Sequence, residues 1–364
     1  MPDQDDRTPI WLDVDTGHDD AFAILLAAHH PKIQLLGIST VYGNASLTKT
    51  TYNTRAILKA IGKEDVPVYA GTAKPFCREA AHAPDIHGES GLDGTTCLPT
   101  PTVPVRTNKT ALEAMYEALI ATPKGTAWVV PTGALTNAGL LFATHPDLVS
   151  HVAGVSAMGG AIGSGFTDAP MGTVVGEGER FGNITPYAEF NVYVDPESAK
   201  SIISNKALAA KTTLVTLDLT HRFLATGEVQ KGMLHGFDSS ADSNGKEPSQ
   251  VRKLFIEILT FFAKTYADIF GITDGPPVHD PLAVVAAFAP ALFSDEGGER
   301  YEVDVVTDGA HGAQAVAMKS QCGRTIATPV LPGEGGVRIP KRLDDEAVWR
   351  MLDECLRAAE KFNG

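Results

Sequence analysis

The chain has few cysteines, a shortage of positive charge and no apolar run long enough to span a membrane. Its four cysteines lie far apart in 364 residues without the close spacing of a metal site, which predicts free thiols in a reducing compartment. Its 30 basic residues are outnumbered by 44 acidic ones, and a net charge of −14 argues against nucleic acid as the main partner. We therefore expect a cytoplasmic protein that binds a small molecule or a cation, with neither nucleic acid nor a membrane as partner.

At 43% hydrophobic and 20% charged residues, the chain can bury a large core as one α/β domain or two. Apolar runs at 10–14, 33–40 and 66–70 alternate with helical patterns at 21–28 and 47–61. Such a βαβαβ run predicts a largely parallel sheet. Later segments favour a helix over 251–270 with an aromatic face, interpreted mainly as core, antiparallel strands within 301–330 and a closing amphipathic helix over 343–362.

Four acidic residues fall within eight positions at the end of the first predicted strand: Asp13, Asp15, Asp19 and Asp20. They occupy a strand-to-helix turn, which is where ligands bind in an open α/β sheet. Carboxylates so close together repel one another and are costly to bury, so a hard divalent cation such as Ca²⁺ or Mg²⁺ would compensate best. Asp19 and Asp20 could instead be ordinary acids in the first turn of a helix, but this leaves Asp13 and Asp15 unexplained.

Further short motifs follow the acidic run along the chain. In order, the motifs are Asp13-Val14-Asp15-Thr16-Gly17-His18-Asp19-Asp20-Ala21, Val41-Tyr42-Gly43-Asn44, Ile86-His87-Gly88-Glu89-Ser90-Gly91, Pro131-Thr132-Gly133-Ala134-Leu135-Thr136-Asn137, Met158-Gly159-Gly160, Ala188-Glu189-Phe190-Asn191 with Asp195-Pro196-Glu197, and Val278-His279-Asp280-Pro281. As an ordered set over nearly the whole chain, they resemble the inosine-uridine preferring nucleoside hydrolases, which cleave the N-glycosidic bond of ribonucleosides. The resemblance implies a single domain over 1–364 with a Rossmann-like open, mostly parallel central sheet flanked by helices, plus a few antiparallel strands.

The resemblance also implies a tightly held Ca²⁺ at the bottom of the pocket. Its ligands would be Asp15, Asp20, the backbone carbonyl of Thr132 and Asp280, a set of hard oxygens that suits this ion. Asp15 would further act as general base toward a water held by the ion. Asp13 matches an acid that supports the metal site from behind rather than binding the metal.

Other motif positions are expected to contact the substrate. The ribose hydroxyls and the 5′ group would be held by Asp19, Asn44, Asn183, Glu189 and Asn191, with Met158 lining the sugar. The resemblance makes His279 the candidate acid for protonating a leaving purine, and His87 would border the base. His221 and Tyr266 fall in matching segments. Without the family context, each asparagine is as well explained as a turn or capping residue, and a lone histidine is more often structural.

These roles predict a single displacement through an oxocarbenium-like transition state, in which water attacks C1′ as the base departs. A 2′-deoxyribonucleoside should therefore be a poor substrate. By analogy alone, we expect a homodimer or homotetramer.

The sequence departs from the family pattern in two places. Position 16 is threonine where proline is common, a mild change at a turn. A glycine-rich stretch at about 161–182 is read as a surface insertion near the base or the pocket mouth, which leaves the base preference open.

Two other functions are compatible with parts of the sequence. Leu12-Asp13-Val14-Asp15-Thr16 resembles the Asp-x-Asp motif of haloacid-dehalogenase-like phosphatases, in which Asp13 would attack phosphate and Asp15 would act as acid and base. That family's later Gly-Asp-x-x-x-Asp motif is not found, and the Asp19-Asp20 pair has no role there. A non-catalytic protein that binds a metal or a nucleoside on the same fold would keep an intact site.

Overall fold

The computed structural model describes residues 6–237 and 247–362 of the chain. Its strands are β1 (Thr8–Val14), β2 (Ile33–Thr40), β3 (Val68–Ala70), β4 (Trp128–Pro131), β5 (Gly154–Met158), β6 (Thr212–Val215), β7 (Phe293–Ser294), β8 (Tyr301–Val305), β9 (Thr325–Pro329) and β10 (Arg342–Leu343). Its helices are α1 (Asp20–His29), α2 (Leu47–Ala60), α3 (Pro84–His87), α4 (Ala111–Ile120), α5 (Thr136–Thr144), α6 (Leu148–His151), α7 (Phe190–Val194), α8 (Pro196–Ile203), α9 (Lys206–Ala209), α10 (Leu217–Thr220), α11 (Gly227–His235), α12 (Gln250–Phe270), α13 (Pro281–Phe288) and α14 (Asp345–Phe362).

Six parallel strands form the central sheet in the order β3-β2-β1-β4-β5-β6. Strand β1 lies in the middle, paired with β2 on one side and with β4 on the other. The strand order therefore reverses beside β1, and in open α/β sheets the crevice at such a reversal is where ligands bind. The antiparallel pairs β8 with β9 and β7 with β10 complete the predicted α/β architecture, which is confirmed.

The apolar residues of β1 are buried on both faces of the sheet, as expected of a strand covered by helices on either side. Ile10, Leu12 and Val14 join one core, to which α1, α13 and α14 contribute, while Trp11 joins the core on the opposite face. Helix α1 is apolar on nearly all sides and is buried from Asp20 to Ala27. The acidic turn before it is thus held between a central strand and a central helix.

The inserted stretch at 161–182 has no helix or strand, as its composition predicted, but it is only partly a surface segment. Its middle is exposed at Val175, whereas both ends are buried. At the first end, the Asp218 carboxylate accepts hydrogen bonds of 2.8 Å from the backbone N–H groups of Ile162 and Gly163. At the other end, the Arg180 guanidinium is buried. The expectation of a surface insertion therefore does not hold for its two ends: Asp218 satisfies the backbone at the first end, and Arg180 is buried at the second.

Within the part of the chain that has been described, no helix is both long and apolar enough to cross a membrane. The four cysteines are free, and Cys322 and Cys355 are buried.

Candidate active site

A cavity lined by polar and aromatic side chains opens at the carboxyl ends of the central strands. Every residue predicted to bind substrate lines it: Asp19, Asn44, His87, Met158, Asn183, Glu189 and Asn191. His279, Thr132 and Asp280 line it as well. Asp13, Asp15 and Asp20 are fully buried and are not among the lining residues.

Three buried carboxylates from opposite ends of the chain meet in this region. Asp19, Asp20 and Asp280 each place a carboxylate oxygen within 4.8 Å of the other two. Asp20 is oriented by the backbone N–H of Gly17, at 2.8 Å from its Oδ2, and by the Thr132 hydroxyl, at 2.9 Å from its Oδ1. Burial, and then the charge of Asp20, raises the pKa of Asp19 to about 7. Burial together with the neighbouring acids also raises the pKa of Asp280 well above its usual value.

The predicted metal ligand Asp15 is not part of this group of three, which contains Asp19 instead. Asp15 lies beside the group, near enough that the charges of Asp20 and Asp19 act on its carboxylate. Its Oδ2 accepts a hydrogen bond of 2.8 Å from the backbone N–H of Asn44, while its Oδ1 is buried without a hydrogen-bond partner among the described residues. Backbone approaches this carboxylate so closely that a Cβ at Gly133 would lie 2.6 Å from Oδ1, and one at Gly43 would also collide with it. Burial, reinforced by the charge of Asp20, raises the pKa of Asp15 well above its usual value.

Asp13 lies beside this group with a different set of contacts. Its Oδ1 accepts hydrogen bonds from the Ser39 hydroxyl and from Asn137 Nδ2, the latter at 2.8 Å. Burial raises the pKa of Asp13 to about 7. Its predicted role behind the metal site stays a prediction.

The donor set fits a hard divalent cation. All the groups offer oxygen ligands, and the charges that most raise the pKa of Asp15 and Asp280 are those of nearby carboxylates. Asp15 Oδ1 has no hydrogen-bond partner within residues 6–237 and 247–362. The Thr132 carbonyl accepts a hydrogen bond of 2.8 Å from Asn191 Nδ2, which leaves a second lone pair on that oxygen. The acidic group is therefore able to bind a metal ion.

Two of the predicted sugar-binding residues also hold the cavity wall in place. The Glu189 carboxylate accepts hydrogen bonds from three backbone N–H groups, those of Asn191 and Gly160 at 2.8 Å and of Val192 at 3.1 Å, and so caps α7. Asn183 Oδ1 accepts a bond of 2.8 Å from the backbone N–H of Phe190. Both side chains therefore bind backbone N–H groups at the start of α7 and also line the cavity.

His279 sits between two hydroxyl groups. The Thr220 hydroxyl lies 2.6 Å from its Nδ1, and the Tyr266 hydroxyl lies 2.8 Å from its Nε2. Burial lowers the pKa of His279 well below its usual value, so the ring is neutral and carries one proton. Because either hydroxyl can donate or accept, this proton can be held on the side facing Tyr266, which also lines the cavity.

His221 lies behind His279, with the two ring centroids 5.5 Å apart, and is not among the lining residues. Its Nδ1 donates a hydrogen bond of 2.7 Å to the carbonyl of Pro170, within the inserted stretch. The structure therefore gives this histidine an anchoring contact to the insertion.

His18 and His87 form a pair that the motifs did not reveal. Their Nδ1 atoms are 3.0 Å apart, and His18 Nε2 donates a hydrogen bond of 2.9 Å to the carbonyl of Asp93. The His18 ring is stacked against Phe261 and Phe262, and its burial lowers its pKa to about 4. The two histidines are 69 positions apart in sequence, so the sequence alone gives no sign that they are in contact.

An aromatic wall on α12 was interpreted from sequence as core. Phe255 is indeed core and contacts Phe22, with ring centroids 4.8 Å apart. Phe262, Tyr266 and Phe270 are buried as well, in a smaller hydrophobic cluster, so the core interpretation holds for this half of the helix too. The same three rings also line the cavity, which the interpretation as core did not include. The inserted stretch reaches the same wall, since the Thr173 backbone N–H donates a bond of 2.9 Å to the carbonyl of Phe270.

Comparisons with known proteins agree with this geometry. The model of the family described as inosine-uridine preferring nucleoside hydrolase matches residues 10–350. The uridine nucleosidase of Saccharomyces cerevisiae is 38% identical over 98% of this chain and 98% of its own length. The pyrimidine-specific ribonucleoside hydrolase RihA of Escherichia coli (strain K12) is 36% identical over 83% of this chain and 86% of its own. A purine-preferring ribonucleoside hydrolase from Gardnerella vaginalis shares the fold, with a TM-score of 0.76 at 22% identity over 97% of this chain and 99% of that one.

Proposed function

This chain belongs to the inosine-uridine preferring nucleoside hydrolase family and is a nucleoside hydrolase, and we propose that it cleaves the N-glycosidic bond of ribonucleosides in a Ca²⁺-dependent reaction with Asp15 as general base. The observation that supports this most strongly is the meeting of Asp19 and Asp20 with Asp280, 260 positions later in sequence, beside a cavity lined by the residues predicted to bind the substrate. Packing three buried carboxylates together is costly unless a cation joins them.

The proposed metal ligands are Asp15, Asp20, Asp280 and the carbonyl of Thr132. When bound there, a divalent cation would neutralise the carboxylates and lower the pKa of a water in contact with it. Asp15 has one oxygen fixed by Asn44, and the other has no hydrogen-bond partner in the part of the chain that the structure describes. This second oxygen is the one able to take a proton from water.

The remaining lining residues would hold the substrate. Asp19 and Asn44 reach the cavity from the acidic side, and Asn183, Glu189 and Asn191 reach it from the segment around α7. Paired donors and acceptors of this kind suit the vicinal hydroxyls of ribose. His279 would supply a proton donor, and the aromatic wall of α12 would supply an apolar surface for the base.

Uridine is the first substrate to test, because two of the relatives are named for uridine or pyrimidine ribonucleosides. The experiment is a panel of uridine, cytidine, inosine, adenosine, 2′-deoxyuridine and a generic phosphate ester, scored for free base, ribose and inorganic phosphate. We expect ribose from ribonucleosides and a rate with 2′-deoxyuridine lower by about 100-fold or more, since a transition-state contact to the 2′-hydroxyl is lost. Phosphate release without base release would overturn the proposal.

The phosphatase alternative is disfavoured by the family match and by the Asp19-Asp20 pair. The nucleoside hydrolase family model matches residues 10–350, which include both acids of the Asp-x-Asp motif. The Asp19-Asp20 pair, which has no role in a phosphatase of that class, meets Asp280 in the structure.

A further inference from the structure

The contact between His18 and His87 leaves room for one proton only. With 3.0 Å between the two Nδ1 atoms, one nitrogen must donate and the other must accept. Two N–H groups facing each other would repel, and two lone pairs would leave both buried nitrogens unpaired.

The carbonyl of Asp93 decides which nitrogen donates. A carbonyl oxygen can only accept, so the hydrogen bond of 2.9 Å from His18 Nε2 places a proton on that nitrogen. His18 is fully buried against the rings of Phe261 and Phe262, an environment that favours the neutral imidazole with a single proton. His18 Nδ1 is therefore the acceptor, and His87 Nδ1 is the donor.

The consequence falls on the other nitrogen of His87. A neutral His87 with its proton on Nδ1 presents a lone pair at Nε2, because the contact to His18 among the described residues uses Nδ1 alone. The His87 ring lines the cavity. His87 Nε2 is thus a hydrogen-bond acceptor that a ligand in the cavity can use.

We propose that His18 is a positioning residue that holds His87 in the Nδ1–H form, so that His87 Nε2 accepts a hydrogen bond from an N–H group of the substrate's base. The proposal rests on the proposed function and adds a recognition rule to it. It fits bases that carry an imide or amino N–H, such as uracil or cytosine. In this form His87 Nε2 has no proton to give, which leaves protonation of the leaving base to another group.

Local structure holds both ends of this arrangement. A Cβ at Gly17 would lie 2.5 Å from His87 Nδ1, so His87 can approach His18 only because residue 17 has no side chain. The Asp93 carboxylate accepts bonds from the backbone N–H groups of Glu89 and Ser90, at 3.0 and 3.2 Å, which fixes the loop whose carbonyl orients His18.

The first test is the protonation pattern of His87 in the metal-loaded enzyme. Histidine-selective ¹⁵N labelling, with His87→Gln to assign the signals, distinguishes a protonated Nδ1 from a protonated Nε2. We expect Nδ1–H and a bare Nε2 in the wild type, and a mixture of both forms in His18→Phe, which keeps the stacked ring but removes the acceptor. A protonated Nε2 in the wild type, or an unchanged pattern in His18→Phe, would overturn the proposal.

The second test compares two leaving groups. For His18→Phe, we expect kcat/KM with uridine to fall about 3- to 10-fold more than kcat/KM with p-nitrophenyl riboside, whose leaving group has no N–H to donate. His29→Phe is the matched control, since His29 donates to the carbonyl of Ile61 and does not line the cavity, so the ratio of the two substrates should not change.

Equal losses on both substrates in His18→Phe would contradict the recognition rule. Failure of the proposed function would give a different result. A wild type that releases no base from any ribonucleoside and no nitrophenol from the riboside would refute the proposed function. The labelling experiment would still report the protonation state of His87.

Discussion

Replacing Asp15 with asparagine is expected to leave a folded protein that releases ribose from uridine at least about 1000-fold more slowly than the wild type. The substitution keeps the shape of the side chain and an oxygen for the backbone N–H of Asn44, but it removes the free carboxylate oxygen that takes a proton from water. The measurement is the steady-state rate of ribose release, together with the thermal unfolding midpoint.

Folding of this variant should not be at risk. Burial and the charge of Asp20 raise the pKa of Asp15, so its charged form opposes folding when no cation is bound, and a neutral amide removes that cost. We therefore expect the metal-free Asp15→Asn protein to unfold at a temperature no lower than the metal-free wild type at pH 7. Asp268→Asn, at an exposed carboxylate paired with Lys264, is the control for a simple change of charge. Turnover close to that of the wild type in Asp15→Asn would contradict its assignment as base.

Replacing His279 with alanine is expected to lower kcat with uridine by about 100-fold, in the range observed when a general acid is removed. The loss with p-nitrophenyl riboside should be much smaller, because nitrophenolate departs without a proton. Tyr266→Phe adds a second comparison. The Tyr266 hydroxyl lies 2.8 Å from His279 Nε2. If the proton travels from this nitrogen through the hydroxyl to the leaving base, both variants should lose protonation of the base, and kcat with uridine should fall in both.

Equal losses on the two substrates in His279→Ala would remove the role of acid and leave a purely structural contribution. A loss confined to His279→Ala, with Tyr266→Phe behaving like the wild type, would show that the proton does not pass through the tyrosine hydroxyl.

The fold was largely accessible from the sequence, because its strands and helices carry distinct patterns. The apolar run at 33–40 coincides with β2. The apolar run at 10–14 likewise predicted that the acidic motif follows a strand, and β1 does end at Val14. The ordered motifs likewise identified cavity-lining residues as distant as Asp19 and Asp280.

The sequence did not reveal which buried side chains contact each other and which contact the cavity. Phe262, Tyr266 and Phe270 recur at helical spacing, and this periodicity predicts a covered face without saying whether protein or ligand covers it. The buried first end of the stretch at 161–182 depends on Asp218, which nothing in the stretch itself indicates. The pairing of His18 with His87 depends on a tertiary contact of the same kind. The assembly of this chain into dimers or tetramers stays a prediction.

The central claim is that carboxylates from both ends of the chain hold one divalent cation that the reaction requires. Its most direct test is calorimetric titration of Ca²⁺ into chelator-stripped protein, with ribose release measured on the same samples. The account predicts one ion bound per chain, turnover restored in proportion to occupancy, and markedly weaker binding in Asp280→Asn. Full turnover by the stripped protein in excess chelator, or unchanged binding in Asp280→Asn, would contradict it.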